Sequence, residues 1–308
     1  MKAAIDIGTN TVLLLVAEEN GQQVKVLREE HRLPRLGKGV DADGNITEES
    51  TARVVDVLKE YKDIIDAEYA GCDVIVTATS AVRDASNRED FLNQVLTKTG
   101  FAVQLLSGKE EADYTYSGAL AVFDTNYSES EEDIFVLDIG GGSTEIALGR
   151  KGQLVDSYSF DMGCVRFTER YLKQDPPFQE EIRQCKEQIK ELLNSHKFRP
   201  RKKCTAIGVA GTMTSLAAID LQLETYDTEK LNGHLIRQDK LSKGIELFSL
   251  HTHDQLLELS PNLMKGREDI FLAGLLILEE FMKFYSLEEI LVSTGGIRHG
   301  AILKNKNS

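Results

Sequence analysis

The sequence predicts an α/β protein built from two similar domains, and two observations carry that expectation. A strand, a turn of small residues and a second strand occur twice: residues 6–11 read DIGTNT and residues 138–143 read DIGGGS, 132 residues apart. After each copy, short apolar runs alternate with segments of helical periodicity, the pattern of sheets covered by crossover helices. The length agrees, since 308 residues suffice for two full cores.

The first copy reads as a β-hairpin, with AAI before its tip and VLLLVA after it. A third strand, QQVKVLRE (22–29), leads into the loop RLPRLGKGVDADGN (32–45). A helix is expected to start at Thr47, a good N-cap, with Val54, Leu58, Tyr61 and Ile65 on one face. Strand DVIVTAT (73–79) follows. Next come a helix with a Ser86/Glu89 capping box closed by Gly100, strand FAVQLL (101–106), and a helix with a Ser107/Glu110 capping box. The order is βββαβαβα. The second half repeats it, with strands IFVLD, TEIALG and QLVDSYSF and helices around 167–172 and 178–195. Strand TAIGVA (205–210) runs into helix TMTSLAAID; a helix over 268–285, strand EEILVS (288–293) and the turn TGGIRHG precede a last short helix. The acidic stretch TNYSESEED (125–133) has linker composition. It separates a first domain (1–124), onto which the C-terminal helix 297–308 packs back, from a second (133–296).

A formal net charge of −14, with no basic tract longer than RPRKK (199–203), argues against a nucleic-acid or membrane surface. Cys72, Cys164, Cys185 and Cys204 lack CxxC or CxxH spacing, which argues against a zinc site or disulfide framework. The longest apolar run, FLAGLLIL (271–278), is too short to cross a bilayer, and the chain opens on a strand rather than a leader. The expectation is a soluble cytoplasmic protein. The apolar helix over 268–285 suits either a core or a homodimer face.

Tips of small residues let backbone N–H groups converge on an anion, and an acid at the strand end can hold a divalent cation. Asp138 and Glu145 flank the second tip, so a hairpin would bring both carboxylates towards one hard cation. Glu110 is accounted for by its capping box. Taken alone, Glu111 reads as a solvated helix-start acid, Arg83 as a surface residue and Glu145 as an edge-strand acid. Gly211 and Thr212 stand where a helix N-terminus could meet a phosphate, or simply where the chain turns tightly. DADGN (41–45) has the wrong spacing for a calcium loop and reads as a turn; His253-Asp254 reads as a helix start.

Seven segments, DIGTNT (6–11), RLG (35–37), TATSAVRDASN (77–87), LLSGKEEA (105–112), DIGGGSTE (138–145), GVAGTMTSLAA (208–218) and STGGIRHGAIL (293–303), together resemble the exopolyphosphatase/guanosine-pentaphosphate phosphatase (Ppx/GppA) family. The resemblance implies two actin-like (RNase H-like, ASKHA) domains with a cleft between them. It also implies water attack on the terminal phosphate of inorganic polyphosphate or, as runner-up, of pppGpp. Glu111 then takes the place of the residue that deprotonates the water, and Arg83 that of a phosphate contact. Asp138 and Glu145 line the catalytic centre and bind Mg²⁺, or Mn²⁺ in its stead, with Asp6 reaching the ion through water. Gly8, Thr9, Asn10, Thr11, Gly140, Gly141, Gly142, Ser143, Gly211 and Thr212 would contact phosphate.

Three departures stand out. Thr9 and Thr11 occupy positions where the family usually has serine, an acidic insertion precedes the second tip, and the chain ends soon after GGIRHG, as in short members without C-terminal helical domains. A small-molecule kinase of the same superfamily is one rival reading, and a non-catalytic polyphosphate or nucleotide sensor is another. The SGKEEA motif and the lack of a sugar-binding insert disfavour the kinase. The joint presence of Glu111, Arg83, Asp138 and Glu145 disfavours the sensor. Basic residues near the clamp are few (Arg32, Arg35, Lys38, Lys109, Arg166, Arg267 and Arg298), so a grip on only the last few phosphates is expected.

Overall fold

Residues KAAIDI at the start of the chain are small or branched and apolar apart from their two charges, and they form a strand covered on both faces. In the computed structural model, which describes residues 1–21, 23–123, 127, 132–196, 200 and 204–305, this strand is the centre of the first of two compact units. One unit comprises Met1–Ala121 with Gly295–Ser308, the other Val122–Thr294.

The first unit runs β1 (Lys2–Ile7), β2 (Val12–Asn20), β3 (Gln23–Arg32), α1 (Val40–Asp43), α2 (Glu48–Glu68), β4 (Asp73–Ala78), α3 (Ser80–Asp84), α4 (Arg88–Thr99), β5 (Val103–Leu105) and α5 (Gly108–Leu120). Its sheet has the order β3-β2-β1-β4-β5, with β1 antiparallel to β2 and parallel to β4. Ala3, Ile5 and Ile7 of β1 join one apolar cluster with Val54, Leu58 and Tyr61 of α2 and Phe91 and Val95 of α4. Tyr61 Oη is satisfied inside it by donating to the Val12 carbonyl at 2.8 Å.

The second unit contains β6 (Asp133–Ile139), β7 (Thr144–Arg150), β8 (Gln153–Phe160), α6 (Cys164–Tyr171), α7 (Gln179–Ser195), β9 (Cys204–Val209), α8 (Ala210–Asp220), α9 (Thr228–Leu231), β10 (Leu235–Arg237), α10 (Gln238–Leu250), α11 (His253–Leu259), α12 (Pro261–Met264), α13 (Phe271–Phe284) and β11 (Glu289–Val292). Its sheet, β10-β11-β9-β6-β7-β8, repeats the five-strand order of the first and adds β10 at the edge. The repeat holds in detail. The second and third strands of each sheet slip register by a bulge, between Val16 and Ala17 in one and Leu148 and Gly149 in the other, again 132 residues apart. The apolar helix α13 is core: Leu275, Ile277, Leu278 and Phe281 are buried in this unit, and Phe281 stacks on Phe135 of β6.

The last helix, α14 (Ile297–Lys304), lies in the first unit against α5, on the sheet face opposite α2. Ala301 and Ile302 share a cluster with Ala4, Leu15 and Ile75. The two helices approach through glycine: a Cβ on Gly118 would fall 1.9 Å from the Gly296 carbonyl oxygen, and one on Gly300 1.9 Å from that of Tyr114. No other residue fits at either position.

Several sequence expectations need correction. DADGN is not a turn: its first three residues close α1, which Gly44 ends at φ 68°. The Ser86/Glu89 capping box does not form. Helix α4 begins after Asn87, whose carboxamide is spent on both backbone groups of Ile46, and Ser86 N–H goes to the Gly44 carbonyl. Residues 268–270 belong to a tight turn that leaves α12, so α13 starts only at Phe271. Asp133 belongs to β6 rather than a linker, and its buried carboxylate accepts from Arg150 at 2.6 and 2.8 Å. Most of the acidic stretch 125–133, and the basic tract 199–203 except Pro200, lie outside the described residues.

His299 on α14 is buried, and its Nδ1 has no hydrogen-bond partner. Burial, and secondarily the Arg298 charge, pull its pKa from 6.5 to about 3. The unfolded chain therefore takes up this proton first, and stability is lost as pH falls from about 6.5 towards 3, by up to about 1.4 kcal/mol per pH unit. Urea denaturation at pH 7.5 and 5.5 should show a drop of about 1.4 kcal/mol from this group. In His299→Gln the drop should shrink by that amount, and an unchanged pH dependence would refute the assignment.

Candidate active site

Both hairpin tips are tied back through their carbonyls. In the first, Gly8 N–H bonds to the Thr11 carbonyl at 2.9 Å, while the carbonyls of Thr9 and Asn10 accept from Gly37 N–H (2.7 Å) and Arg35 N–H (3.1 Å). In the second, Gly140 N–H bonds to the Ser143 carbonyl at 3.0 Å. There the carbonyls accept from the start of α6: Gly140 from Cys164 N–H (2.9 Å), Gly141 from Val165 and Arg166 N–H (2.9 and 3.1 Å), and Gly142 from Arg166 Nε (2.7 Å). A trans peptide points its N–H opposite to its C=O. The N–H groups of Asn10 and Thr11 thus face away from the 35–37 loop, and those of Gly141, Gly142 and Ser143 face away from α6. Three consecutive N–H groups on one side form an anion nest.

Asp138 and Glu145 are direct partners across β6 and β7, so their side chains stand on one face of the sheet, about 5 Å apart at Cβ. Both are buried, at 7% and 2% exposure, which overturns the edge-strand reading of Glu145. Glu145 Oε1 accepts from Ser159 Oγ on β8 at 2.6 Å. Two carboxylates side by side form an all-oxygen pair, and such a pair suits a hard ion that keeps several waters. The residues present therefore fit Mg²⁺. Among the described residues no group of three or more His, Cys, Asp and Glu gathers to hold a metal. The first unit lacks the second acid: opposite Asp6 stands Leu13, and Asp6 Oδ1 lies 3.3 Å from Thr77 Oγ1.

Glu110 and Glu111 separate as their places in the helix require. Ser107 N–H and Oγ donate to Glu110 Oε2 at 2.8 and 2.7 Å, and these bonds lower the Glu110 pKa. Glu111 faces inward at 5% exposure and is no solvated acid. Its Oε2 accepts from Arg83 Nη1 at 2.9 Å, and the same nitrogen donates to the Leu106 carbonyl at 3.0 Å. Arg83, on α3, is accordingly half-buried rather than a surface residue, and it is committed to the carboxylate expected to work on water.

At the start of α8, Ala210 adopts φ 68°, a left-handed conformation that costs a residue with a Cβ about 1 kcal/mol. Gly211 has a spatial reason to be glycine: a Cβ would lie 3.1 Å from the Arg267 guanidinium carbon. Arg267 donates to Ser215 Oγ at 2.6 Å, and burial lowers its pKa. Thr212 is buried and fills the space left by Gly274. Of the other basic residues, Arg32 pairs with Glu60 and Glu30, and Arg298 with Glu29 and the Leu14 carbonyl, so both serve the fold. Ser80, Thr77 and Ser159 were not singled out from the sequence. Short hydroxyl residues carry no periodic signal, and their partners lie 71, 71 and 14 residues away.

A sequence model of the Ppx/GppA phosphatase family matches residues 15–308. The chain is 34% identical over 316 residues to exopolyphosphatase 2 of Mycobacterium tuberculosis, covering 98% of this chain and 97% of that protein. It is 32% identical to a bifunctional 3-dehydroquinate synthase/phosphatase of Fusobacterium nucleatum, over 99% of this chain and 46% of that one, so it spans about half the length of this relative. Among solved structures, the Aquifex aeolicus member of the Ppx/GppA family superposes with a TM-score of 0.80 at 30% identity, over 98% of this chain and 95% of that chain.

The Arg83–Glu111 pair yields a stability test. Removing the guanidinium takes an ion pair and a hydrogen bond from a buried carboxylate, at a cost of about 2–4 kcal/mol after allowing for the partial exposure of Arg83. In the Glu111→Gln background, Arg83→Ala should cost at least 1 kcal/mol less. Denaturant unfolding of the four proteins measures the difference, and equal losses in both backgrounds would show that the pair is not coupled.

Proposed function

The chain belongs to the Ppx/GppA phosphatase family, and on that premise we propose that it is an exopolyphosphatase that releases the terminal phosphate of inorganic polyphosphate by attack of water. The observation that carries the hydrolase reading is the inward-facing Glu111. It sits in the first turn of α5, is spared from capping by Glu110, and is held by Arg83. A carboxylate so placed can orient a water and accept its proton, which is most of what phosphoanhydride hydrolysis asks of a base.

The three N–H groups of the second tip and the two of the first supply fixed dipoles for phosphate oxygens, and the N-terminus of α8 at Gly211 and Thr212 offers another set. Asp138 and Glu145 would hold Mg²⁺, which when bound neutralises charge on the phosphate oxygens. Polyphosphate is preferred over pppGpp because the relative matched along almost its whole length is named an exopolyphosphatase. The committed states of Arg32 and Arg298 leave few cations for a long polyanion, which supports a grip on a short stretch of phosphates.

Glu111→Gln should lower phosphate release about 10²–10⁴-fold with the fold intact, whereas Glu110→Gln should cost only cap stability. Equal loss of activity in both variants would sink the role given to Glu111. Phosphate release from long polyphosphate, tripolyphosphate, pppGpp and ATP, with no acceptor present, tests the substrate. Release from polyphosphate should lead, stop in excess EDTA and return with Mg²⁺ or Mn²⁺. Turnover of pppGpp alone would replace the substrate, and full turnover in EDTA would remove the metal from the mechanism.

A further inference from the structure

Thr9 is fixed at three points. Its carbonyl accepts from Gly37 N–H at 2.7 Å. Its methyl occupies the room that Gly37 leaves: a Cβ on Gly37 would lie 2.2 Å from Thr9 Cγ2. Its hydroxyl lies 3.0 Å from Ser80 Oγ, and both side chains are buried. Ser80 opens α3 immediately after β4, the strand paired with β1, so sheet pairing brings it beside a tip 71 residues earlier in the chain. The methyl removes rotamer freedom that a serine would keep, and the hydroxyl is left with one degree of freedom, the direction of its proton.

Two hydroxyls sharing one hydrogen bond have two arrangements. If Thr9 donates to Ser80, its only proton is used up; if Ser80 donates to Thr9, the Thr9 proton is available to an anion at the tip. We propose that Ser80 is a positioning residue that donates to Thr9 Oγ1, so that the Thr9 hydroxyl adds a third donor to the N–H groups of Asn10 and Thr11 on a phosphate of the substrate. Each bond in such a chain polarises the next, which strengthens the donor at the anion. The proposal deepens the hydrolase reading and rests on it for the identity of the anion, but the hydroxyl pair can be tested by binding alone.

The test is a double-mutant cycle on the full chain with Ser80→Ala, Thr9→Val and both together. It is read by calorimetric affinity for tripolyphosphate in Glu111→Gln protein, which limits hydrolysis, and by KM and kcat in the parent. Ser80→Ala and Thr9→Val should each weaken tripolyphosphate binding and raise KM about tenfold, with kcat changed less than about threefold. The double variant should be no worse than Thr9→Val alone, because Ser80 then has no hydroxyl to direct. Thr9→Ser, which keeps the hydroxyl and loses only the methyl wedge, should fall between parent and Thr9→Val. Thermal midpoints within a few degrees of the parent exclude a folding effect, and Thr9→Ser keeps the prediction readable if Ser80→Ala folds poorly. Additive losses in the cycle, an unaltered affinity in Ser80→Ala, or no tripolyphosphate binding by any form would overturn the proposal. A parent that binds tripolyphosphate with the expected cycle but releases phosphate from no substrate would sink the hydrolase reading and leave the Ser80 assignment standing.

Discussion

A peptide unit cannot aim its N–H and its C=O in the same direction, and both hairpin tips are built on that constraint. Something must take the carbonyls before the N–H groups can be offered to an anion, and each unit solves this with a different element. The first uses the turn after β3, the second the N-terminus of α6. Each solution needs one glycine at the contact. Gly37 packs on Thr9, and Gly163, where a Cβ would fall 2.4 Å from an oxygen, packs on Gly141, the residue 132 positions after Thr9. The same geometric demand is therefore met with a side chain filling the gap in one unit and bare backbone filling it in the other.

Duplication of the framework does not extend to its chemistry. Residue 13, opposite Asp6, is leucine, and residue 145, opposite Asp138, is glutamate. The second unit thus pairs two carboxylates directly across its first two strands, where the first pairs an acid with a leucine. The first carries the Arg83–Glu111 pair, with the carboxylate buried and the guanidinium half-buried. Each half of the structural repeat thus keeps the carbonyl-anchored tip and adds one feature of its own, a pair of carboxylates in the second unit and a carboxylate–guanidinium pair in the first.

Much of this was legible in the sequence because it is local. The two tips, the Ser107/Glu110 box, Thr47 as N-cap and Gly100 as the stop of α4 depend on residues within a few positions of one another. What could not be read depends on distant partners. Glu111 and Arg83 look like surface residues until the sheet brings them together across 28 positions, and Asn87 caps nothing because Ile46, 41 positions away, claims its carboxamide. The helices between β10 and β11 were harder still. The start of α11 at His253 was legible, and Thr252 and Gln255 form its capping box, but the turn that leaves α12 is made by backbone bonds such as Arg267 N–H to the Met264 carbonyl, which leave no residue signature.

The placement of Glu111 shows why a rigid fold is needed for so small a group. Burying a carboxylate is costly unless a partner is fixed beside it, and a fixed partner is useful only if the carboxylate cannot move away. Helix α5 meets this at both ends. Its N-terminus is set by the capping box, and the preceding Leu106 is anchored by its N–H to the Ala78 carbonyl and its own carbonyl to Arg83. Its C-terminal half is set by the glycine contacts with α14 and by the Lys304–Asp113 ion pair. Because α14 is itself tied to the sheet, through Arg298 to the Leu14 carbonyl and through Lys2 to the carbonyls of Ile302 and Asn305, it holds the helix that carries Glu111 in register with the strands that carry the first hairpin tip. The glycines at 118 and 300 are thus as much a condition of the placement of Glu111 as its ion pair with Arg83.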